Sequence, residues 1–525
     1  MRILPILFSF MFMHLMIFSQ SVGSRDSSFS SDGIDTIDLG GGAENSLFLL
    51  IQPDGKIVSG GSEWNGTQNV FIVLARHNTD GSRDMTFGTN GKVSIRFTTR
   101  WLIPADAVLQ PDGKIVVAGS YDDTFSNNFL LARYNTNGTM DASFGSGGFM
   151  QLDLVHGSTL DEGYAVDVQP DGKIVIGGTA KPPFGSNGSF AMMRVDASGA
   201  IDPTFGTNGV VIDTPWVSGN QIIKDLAVLS SGKIMIAGSI DDSTFQSVFC
   251  VGRFNSNGTL DSTFGTNGTV KLHFGSSSSE ATSLTMLPNG KFLAAGWANL
   301  QGTPNKEICL ARFNASGTLD NTFGTGGTVE IPNSAATYEY ANSVKMQPDG
   351  KYIVGGVGRA SAAFIDYGLL LRLTSSGSID NTFGVNGRTQ SADVYSVTAV
   401  ALQPNGRIVA TGKNNMDYYV ARYFSAFGVW REDKKTEESE LTIFPNPSSQ
   451  SAMARFNANK PEEIKLELVS IDGKVSKVLY KGFSVSGMNE IKLDIPEYIS
   501  QGNYYISLSG KEGTHRVFKF QKIMD

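Results

Sequence analysis

The chain has 525 residues, 60 of them glycine, and a formal net charge of −8. This length exceeds one ordinary domain, so the chain holds several domains or one large repeat array with additional segments. The acidic balance provides no surface to neutralise phosphates, so no nucleic-acid partner is expected. Abundant Gly, Ser, Thr and Asn around short apolar runs favour strands joined by turns, and therefore an all-β fold.

Residues 1–23 are predicted to be a signal peptide. Arg2 precedes an apolar run that ends near Phe18, and Ser19, Ser21 and Gly23 supply the small residues that a signal peptidase needs. A membrane anchor is the alternative, but the run is shorter than the roughly 20 residues of a spanning helix. No later segment is apolar enough to span a bilayer, so the mature chain is expected to be exported without a membrane span.

A turn of the type "QPDGK" recurs about every sixty residues along the chain. Its glycines are Gly55, Gly113, Gly172, Gly232, Gly290, Gly350 and Gly406. Proline presets one torsion, Asp or Asn bonds back to the backbone, and Gly accepts positive φ. Because apolar stretches of strand length flank each turn, as in "DAVLQ" and "KIVVAGS", each copy predicts a β-hairpin.

Two further short strands complete each repeat. We label the "GFMQLDL" type strand A, the hairpin strands B and C, and the "FLLARY" type strand D, and we expect them to form one unit in this order. Seven such units over residues 26–424 predict a seven-bladed β-propeller of four-stranded repeats. A β-solenoid is the alternative, although its rungs are usually shorter and need capping ends.

The motifs "QPDGKIVVAGS", "FLLARYN" and "NGTMDASFGSGG", at this period, closely resemble the delta-60 repeat family of bacterial exported proteins. The similarity covers nearly all of residues 26–424. It implies a propeller, and it implies no defined biochemical activity.

An arginine stands near the end of every D strand, and six of these arginines are followed eight residues later by an aspartate. The pairs are Arg76 and Asp84, Arg133 and Asp141, Arg194 and Asp202, Arg253 and Asp261, Arg312 and Asp320, and Arg372 and Asp380. The spacing suggests a calcium loop, but a cation occupies the position of the first ligand, and it would repel a divalent ion. We therefore expect the guanidinium to gather the carboxylate and the turn carbonyls, a structural role whether the pair is buried or exposed to solvent.

The seventh arginine, Arg422, has no aspartate after it, whereas Asp26 near the other end has no D strand before it. The sequence therefore predicts that Arg422 and Asp26 meet where the ring closes. A phenylalanine follows three residues after each aspartate, and it is expected to pack between blades. These phenylalanines are Phe29, Phe87, Phe144, Phe205, Phe264, Phe323 and Phe383.

Cys250 and Cys309 hold equivalent positions of successive repeats, too far apart for a disulfide, and are expected to be buried free thiols. The few histidines share no metal-ligand spacing, and no nucleophile elbow is present. No cofactor, metal or catalytic residue is predicted, and an enzyme is the less favoured class.

The A to B and C to D connections share one face, and their sequences differ from unit to unit, whereas the other face carries the repeated turns. Four tryptophans and two aspartate pairs fall on the variable connections: Trp64, Trp101, Trp216, Trp297, Asp122 with Asp123, and Asp241 with Asp242. Such side chains on a rigid scaffold are candidate binding residues for a glycan or a protein. Alternatively, each tryptophan caps its blade edge and each aspartate pair simply faces water.

Residues 429–440 form a charged linker, and residues 441–525 show the strand alternation of a small Ig-like β-sandwich. The motifs "IFPNPSS", "LVSIDGKV", "QGNYYISL" and "KFQKI" resemble the type A C-terminal sorting domain of the type IX secretion system. The resemblance implies passage through the outer membrane by the secretion machinery, to the cell surface or the medium, often with removal of the domain. An accessory binding sandwich is the alternative.

The function expected from these features is that of an exported binding or adhesion platform. An extracellular hydrolase or lyase acting on a polysaccharide or other polymer is the alternative. A central cluster of acidic side chains would favour the enzyme, and a shallow aromatic face would favour binding.

Overall fold

The chain divides into two compact units, residues 1–428 and 429–525. Residues 1–20 of the predicted signal peptide and the whole of the predicted linker lie outside the described residues. The computed structural model describes residues 21–38, 44–64, 70–95, 101–122, 126–154, 160–181, 187–213, 219–275, 277–299, 305–332, 336–360, 365–415, 417–425, 442–444, 451–458, 460–470, 476–496, 499, 502–510 and 515–522.

The described residues of the first unit form seven four-stranded antiparallel blades, and one parallel pairing, Leu160 opposite Asn127, joins blades 2 and 3. In chain order, blade 1 has β2 (Glu44–Ile51), β3 (Ile57–Trp64), β4 (Val70–His77) and β5 (Lys92–Ile95); blade 2 has β6 (Trp101–Leu109), β7 (Ile115–Asp122), β8 (Asn127–Tyr134) and β9 (Phe149–Leu152); blade 3 has β10 (Leu160–Val168), β11 (Ile174–Lys181), β12 (Ser189–Val195) and β13 (Val210–Asp213); blade 4 has β14 (Gln221–Val228), β15 (Ile234–Asp241), β16 (Ser247–Phe254) and β17 (Thr269–Leu272).

The remaining blades follow the same plan. Blade 5 has β18 (Ser279–Met286), a 3₁₀ turn (Pro288–Gly290), β19 (Phe292–Asn299), β20 (Lys306–Phe313) and β21 (Thr328–Ile331); blade 6 has β22 (Ala336–Met346), β23 (Tyr352–Ala360), β24 (Asp366–Leu373) and β25 (Arg388–Ser391); blade 7 has β26 (Ala399–Leu402), β27 (Ile408–Asn414), β28 (Asp417–Tyr423) and, from the other end of the unit, β1 (Ile34–Ile37).

Within each blade the strands lie in the order B, C, D, A. Strand A pairs with the D strand that precedes it, as Ala132 on β8 pairs with Phe149 on β9. The expectation that strand A opens the unit of the following hairpin was therefore wrong. The reason is local, because the D to A connection is a tight turn, whereas the chain that leaves strand A must cross to the inner edge of the next blade.

The B strands form the inner ring of the propeller. Each contacts the B strands of both neighbouring blades, and β2 contacts β6 on one side and β26 on the other. The four residues of β1 pair with β28, with Ile34 opposite Ala421. The array is thus a closed ring, and its last blade is completed by the first strand of the chain.

Strands C and D are apolar on both faces because neighbouring blades cover both faces. Every residue of β15 is buried, for example. Glycine permits a close approach at one point of these strands, since a Cβ on Gly238 would lie 1.8 Å from the carbonyl oxygen of Ile222. The B strand is bulged opposite this point, between Ile223 and Asp225.

At six of the seven blade junctions the recurring arginine donates to a carbonyl group of the next blade. The exception is Arg372, which pairs with Asp380 at 2.8 Å but whose Nη1 has no hydrogen-bond partner among the described residues.

Arg76 donates from Nε to Asp84 Oδ2 at 2.8 Å and from a terminal nitrogen to the carbonyl oxygen of Thr136, in the following blade, at 2.5 Å. Its guanidinium also lies 4.5 Å from the centre of the Phe87 ring. A Cβ added to Gly138, in the same turn of the following blade, would meet that ring at 3.0 Å, so Phe87 packs between blades.

A second cation reaches every junction carboxylate from the "PDGK" turn. Lys56 Nζ lies 2.8 Å from Asp84 Oδ2, and the other pairs are Lys114 with Asp141, Lys173 with Asp202, Lys233 with Asp261, Lys291 with Asp320, Lys351 with Asp380 and Arg407 with Asp26, at 2.7 to 3.2 Å. The other carboxylate oxygen of Asp84 accepts from the backbone and hydroxyl of Thr86. The cations occupy the place of the metal in a calcium loop.

The two ends of the array meet through the same set of contacts. Arg422 Nε donates to Asp26 Oδ2 at 2.8 Å, and a terminal nitrogen donates to the carbonyl oxygen of Thr79, in blade 1, at 2.6 Å. The guanidinium lies 5.0 Å from the centre of the Phe29 ring. A residue near the start of the chain therefore supplies the carboxylate that the last repeat lacks.

The second unit contains a three-stranded and a four-stranded antiparallel sheet. Its strands are β29 (Thr442–Phe444), β30 (Ser451–Ala458), β31 (Glu463–Ser470), β32 (Ser476–Phe483), β33 (Gly487–Asp494), β34 (Gly502–Gly510) and β35 (His515–Lys522). The sheet orders are β29-β30-β33 and β32-β31-β34-β35. Phe456 and Leu493 from the first sheet share a core with Leu466 and Ile506 from the second, so the unit is a two-sheet sandwich.

Breaking the closing junction should destabilise the ring. Asp26 is fully buried, and its loss leaves the Arg422 guanidinium without its carboxylate. We expect Asp26→Ala to lower the free energy of unfolding by about 3 kcal/mol, the low end for a broken buried pair, because Arg407 at this junction is partly exposed. Urea unfolding of the full chain, followed by circular dichroism, measures the change.

Asp32→Ala is the matched control, because Asp32 is exposed and accepts one hydrogen bond, from the backbone of Ile34 at 3.2 Å. A loss below about 1 kcal/mol for Asp26→Ala, as for an exposed pair, would contradict a locking role for the junction.

Candidate functional site

The predicted binding tryptophans that the structure describes lie on the face with the A to B and C to D connections, here called the variable-loop face. Trp64, at the end of β3, is 43% exposed, and Trp101, at the start of β6, is 40% exposed. Trp297 lies near the end of β19 and is partly exposed. Trp216 and Asp123 lie outside the described residues.

Asp241 and Asp242, on the same face, form hydrogen bonds to neighbouring residues of the connections of blade 4. Asp241 is buried and accepts hydrogen bonds from Ser247 Oγ at 2.9 Å and from the backbone of Asn220 at 2.8 Å. Asp242 accepts from Thr244, through the backbone and the hydroxyl. This pair shapes the C to D turn of blade 4, and Asp122 is partly exposed at the end of β7.

That turn presents an aromatic side chain that the sequence interpretation did not single out. Phe245 is 71% exposed and has φ of 60°, a left-handed conformation that bulky residues rarely adopt. The bonds to Asp242 on either side hold it there. Backbone strain at an exposed aromatic is typical of functional loops, and the only sequence signal was a phenylalanine between polar turn residues.

Near the axis, the variable-loop face carries a row of aromatic rings with cations over them. Lys306 Nζ lies 3.7 Å from the centre of the Trp297 ring and 5.5 Å from that of Tyr340. Trp297 Nε1 donates to Glu280 Oε1 at 3.4 Å. Burial and the positive charge of Lys224 lower the pKa of Lys306, although the negative charge of Glu280 acts in the opposite direction.

The row continues in both directions from Trp297. In blade 6 the guanidinium of Arg359 lies 4.9 Å from the Tyr338 ring and pairs with Asp366 at 2.7 Å. In blades 3 and 4, Lys224 Nζ lies 4.2 Å from the Tyr164 ring. Four blades thus contribute to one aromatic strip of rings and paired charges. Only Trp297 of the strip was predicted, because the others are single residues near strand starts without a repeated spacing.

Exposed large apolar side chains are concentrated on this face. Among the described residues of the propeller, eight lie on the variable-loop face and three on the face with the repeated turns. The eight are Trp64, Trp101, Ile103, Leu160, Ile212, Phe245, Ile365 and Tyr395, and the three are Met85, Ile201 and Val385. The two faces therefore differ in chemistry as well as in loop sequence.

The inner ring holds a group of acidic side chains that the sequence interpretation also missed. Asp106, Asp167 and Asp225 lie on the B strands of blades 2, 3 and 4, and each accepts a hydrogen bond from a backbone amide of the B strand of the next blade. The charges of Asp225 and Lys345 act on Asp106 across non-adjacent blades. These side chains therefore face the axial space, and the available signal was a lone acid within an apolar B strand.

Among the described residues, one set of carboxylates is close enough to share a cation. Asp38, Glu44 and Asp417 offer oxygens within 4.8 Å of one another, at the seam between blades 7 and 1. Asp38 is exposed and Glu44 is buried. No repeated feature of the sequence pointed to this set.

Comparison with family models assigns both units. Six segments, residues 52–87, 110–144, 169–205, 229–264, 287–323 and 347–383, match a domain of unknown function described as the DUF5122 β-propeller. Residues 442–521 match the secretion system C-terminal sorting domain. The chain carries DUF5122 propeller repeats and a type IX sorting domain. Both resemblances identified in the sequence are thereby confirmed, and the sorting domain indicates export to the cell surface or outside through the type IX machinery.

Solved structures with a similar architecture are distant in sequence. The WD40 β-propeller domain of Doa1 is 12% identical, with a TM-score of 0.41, over 74% of this chain and 97% of that one. The acylaminoacyl peptidase of Pyrococcus horikoshii is 11% identical, with a TM-score of 0.39, over 80% of this chain, which spans 59% of the peptidase. No curated protein matches the chain, and among the described residues no helix is long and apolar enough to cross a membrane.

The DUF5122 propeller contains carboxyls with opposite pKa shifts. Burial and the charge of Asp225 raise the pKa of Asp106 to about 7, and burial raises that of Asp225 to about 6 despite the charge of Lys345. At the junctions, burial alone would raise the pKa of Asp84, but hydrogen bonds from Lys56 and Thr86 lower it well below its usual range. Asp106 and Asp225, here called the axial carboxyls, are therefore protonated at higher pH than an ordinary Asp, and junction carboxyls such as Asp84 only at lower pH.

These shifts predict how the stability of the DUF5122 propeller depends on pH. An unfolded Asp titrates near 3.9, so between about pH 4 and 7 the native axial carboxyls bind more protons than the unfolded chain, and stability falls as pH rises. Below about pH 4 the unfolded chain binds more protons than the native chain, because the junction carboxyls stay ionised in the native state. Stability therefore falls as pH decreases. We expect the melting temperature to be highest near pH 4 to 5.

Asp106→Asn with Asp225→Asn should flatten the decline between pH 5 and 8, measured by melting temperature on the full chain. Asp112→Asn is the control, since Asp112 is an exposed turn residue. An unchanged slope in the double variant would show that the axial carboxyls titrate normally.

Proposed function

We propose that the propeller is a binding or adhesion platform outside the cell, with its ligand on the variable-loop face. The observation that carries the proposal is the concentration of exposed large apolar side chains on that face, eight against three among the described residues. Exposed apolar side chains on connections of variable sequence, held by a scaffold of packed strands, are suited to an interaction site.

The aromatic strip supports a glycan or a protein as the ligand. Trp297, Tyr338 and Tyr340 offer flat apolar surfaces beside groups that form hydrogen bonds, namely Lys306, Arg359 and Glu280. Sugar rings and aromatic side chains of a protein both use this combination of stacking and hydrogen bonding. The strip is rigid because its residues lie on strands rather than on the loops.

The axial carboxyls favour a second candidate, an extracellular hydrolase or lyase that acts on a polymer. A carboxylic acid with a pKa of about 7, such as Asp106, can donate a proton at neutral pH, and Lys345 acts on it electrostatically. Both oxygens of Asp106 accept backbone hydrogen bonds, from Ala107 and Val166, at 2.8 and 3.0 Å. These contacts favour a structural role over catalysis.

Binding should depend on the variable-loop face and not on the opposite face. We expect Trp101→Ala with Phe245→Ala, in the full-length protein, to weaken binding to an array of extracellular polysaccharides and surface glycans by about tenfold or more. The reason is that exposed aromatic side chains dominate such contacts. Fluorescently labelled protein on the array gives the measurement.

Met85→Ala with Val385→Ala is the matched control, since these two side chains are 61% and 77% exposed on the opposite face. Equal losses in both double variants, or none in either, would contradict the assigned face.

An assay for newly formed reducing ends of polysaccharides distinguishes the two candidate functions. A binding platform releases no reducing ends from the polysaccharides that it retains, and Asp106→Asn with Asp225→Asn leaves retention unchanged. Release of reducing ends that disappears in this double variant would establish the enzyme instead.

A further inference from the structure

The sorting domain contains a segment in which the usual distribution of polar and apolar side chains is reversed. From the end of β32 to the start of β33, Phe483, Val485 and Met488 are 73%, 60% and 61% exposed. The intervening Ser484 and the following Asn489 are 1% and 7% exposed. A small soluble sandwich normally places such residues the other way round.

Hydrogen bonds fix the segment in this conformation. Ser484 exchanges hydrogen bonds with the backbone of Glu462, with its own N–H donating to the carbonyl oxygen at 2.9 Å and its Oγ accepting at 3.1 Å. Asn489 accepts from the backbone of Val485 at 2.8 Å and donates to the carbonyl oxygens of Val485 and Gly487 at 2.8 and 2.9 Å. The buried polar groups are satisfied, so the outward direction of the apolar side chains is a built feature of the fold.

The position of the segment leaves it accessible within the sorting domain. Strand β32 is at the edge of the four-stranded sheet, and β33 is at the edge of the three-stranded sheet. Along β33, Met488, Glu490 and Lys492 alternate with buried or partly buried residues, so Met488 is the apolar member of an otherwise charged outer face. We call Phe483, Val485 and Met488 the exposed apolar triad.

Three charged pairs of the described residues each have a member on β32 or β33, the strands that carry Phe483 and Met488. Lys481 lies 3.7 Å from Glu463, Arg455 lies 2.5 Å from Glu490, and Lys492 lies 3.3 Å from Asp494. An anionic membrane surface attracts unpaired basic groups next to apolar ones. The triad with these paired charges beside it has an apolar centre and a polar edge of balanced charge. This combination fits a pocket of a protein better than an anionic membrane surface.

We propose that the exposed apolar triad is the surface by which this sorting domain docks into an apolar pocket of a protein of the type IX secretion machinery. The family match implies that this unit interacts with that machinery, and the triad supplies apolar anchors for such a contact. The inference concerns delivery of the chain, and it does not depend on the function proposed for the propeller.

The test uses the full chain in a bacterium with an active type IX system. Phe483→Ser with Met488→Ser should reduce the secreted fraction about tenfold or more, while folded protein accumulates in the periplasm. Met85→Ser with Val385→Ser, two equally exposed positions on the propeller, should be secreted like the natural chain. Undiminished secretion of the triad variant would overturn the proposal.

Two further measurements distinguish docking from misfolding and from lipid binding. Protease resistance of the periplasmic protein shows that the variant is folded. If Phe483→Ser with Met488→Ser destabilises the domain, Val485→Lys, a single change at an exposed position, replaces it and should give the secretion defect in a folded protein, and normal secretion of folded Val485→Lys would overturn the proposal. In flotation with anionic phospholipid vesicles, the natural chain should remain unbound. Vesicle binding that is lost in the triad variant would assign the surface to lipid and overturn the proposal.

Discussion

The propeller depends on one charge-assisted contact, in which an arginine pairs with an aspartate at all seven blade junctions and donates to a carbonyl group of the following blade at six of them. Arg76 bonds to Asp84 and to Thr136, and Arg422 bonds to Asp26 and to Thr79. The same guanidinium covers a phenylalanine ring. Blade geometry and blade attachment are thus determined together, and a metal ion has no place where two cations already share each carboxylate.

The ring makes the functional surface possible because it separates repeated from variable sequence. Turns with a fixed structural task lie on one face, so the connections on the other face are free to differ. Phe245 in its strained turn and Trp297 under Lys306 occupy that second face, above an inner ring lined by carboxyls. A rigid support with variable connections is a common basis for recognition.

Sequence reasoning reached the repeat architecture because periodicity multiplies weak signals. Six arginine–aspartate pairs at one spacing predicted the structural ion pairs, and the imbalance between Arg422 and Asp26 predicted that these two would meet. The lysine of the "PDGK" turn was missed because its target lies about 28 residues away, across the blade. Phe245 and the Tyr340 region occur once each, and the acids Asp106, Asp167 and Asp225 occur in three of the seven B strands. Only the three-dimensional arrangement brings these residues together.

Closure by β1 has a consequence for biogenesis. The outermost strand of blade 7 is the first part of the propeller to be synthesised, and its partner β28 is the last. Until β28 is available to pair with β1, both ends of the array stay open. The pairing joins segments nearly 400 residues apart, so its loop-closure cost is high and we expect closure to be a slow, late step of folding.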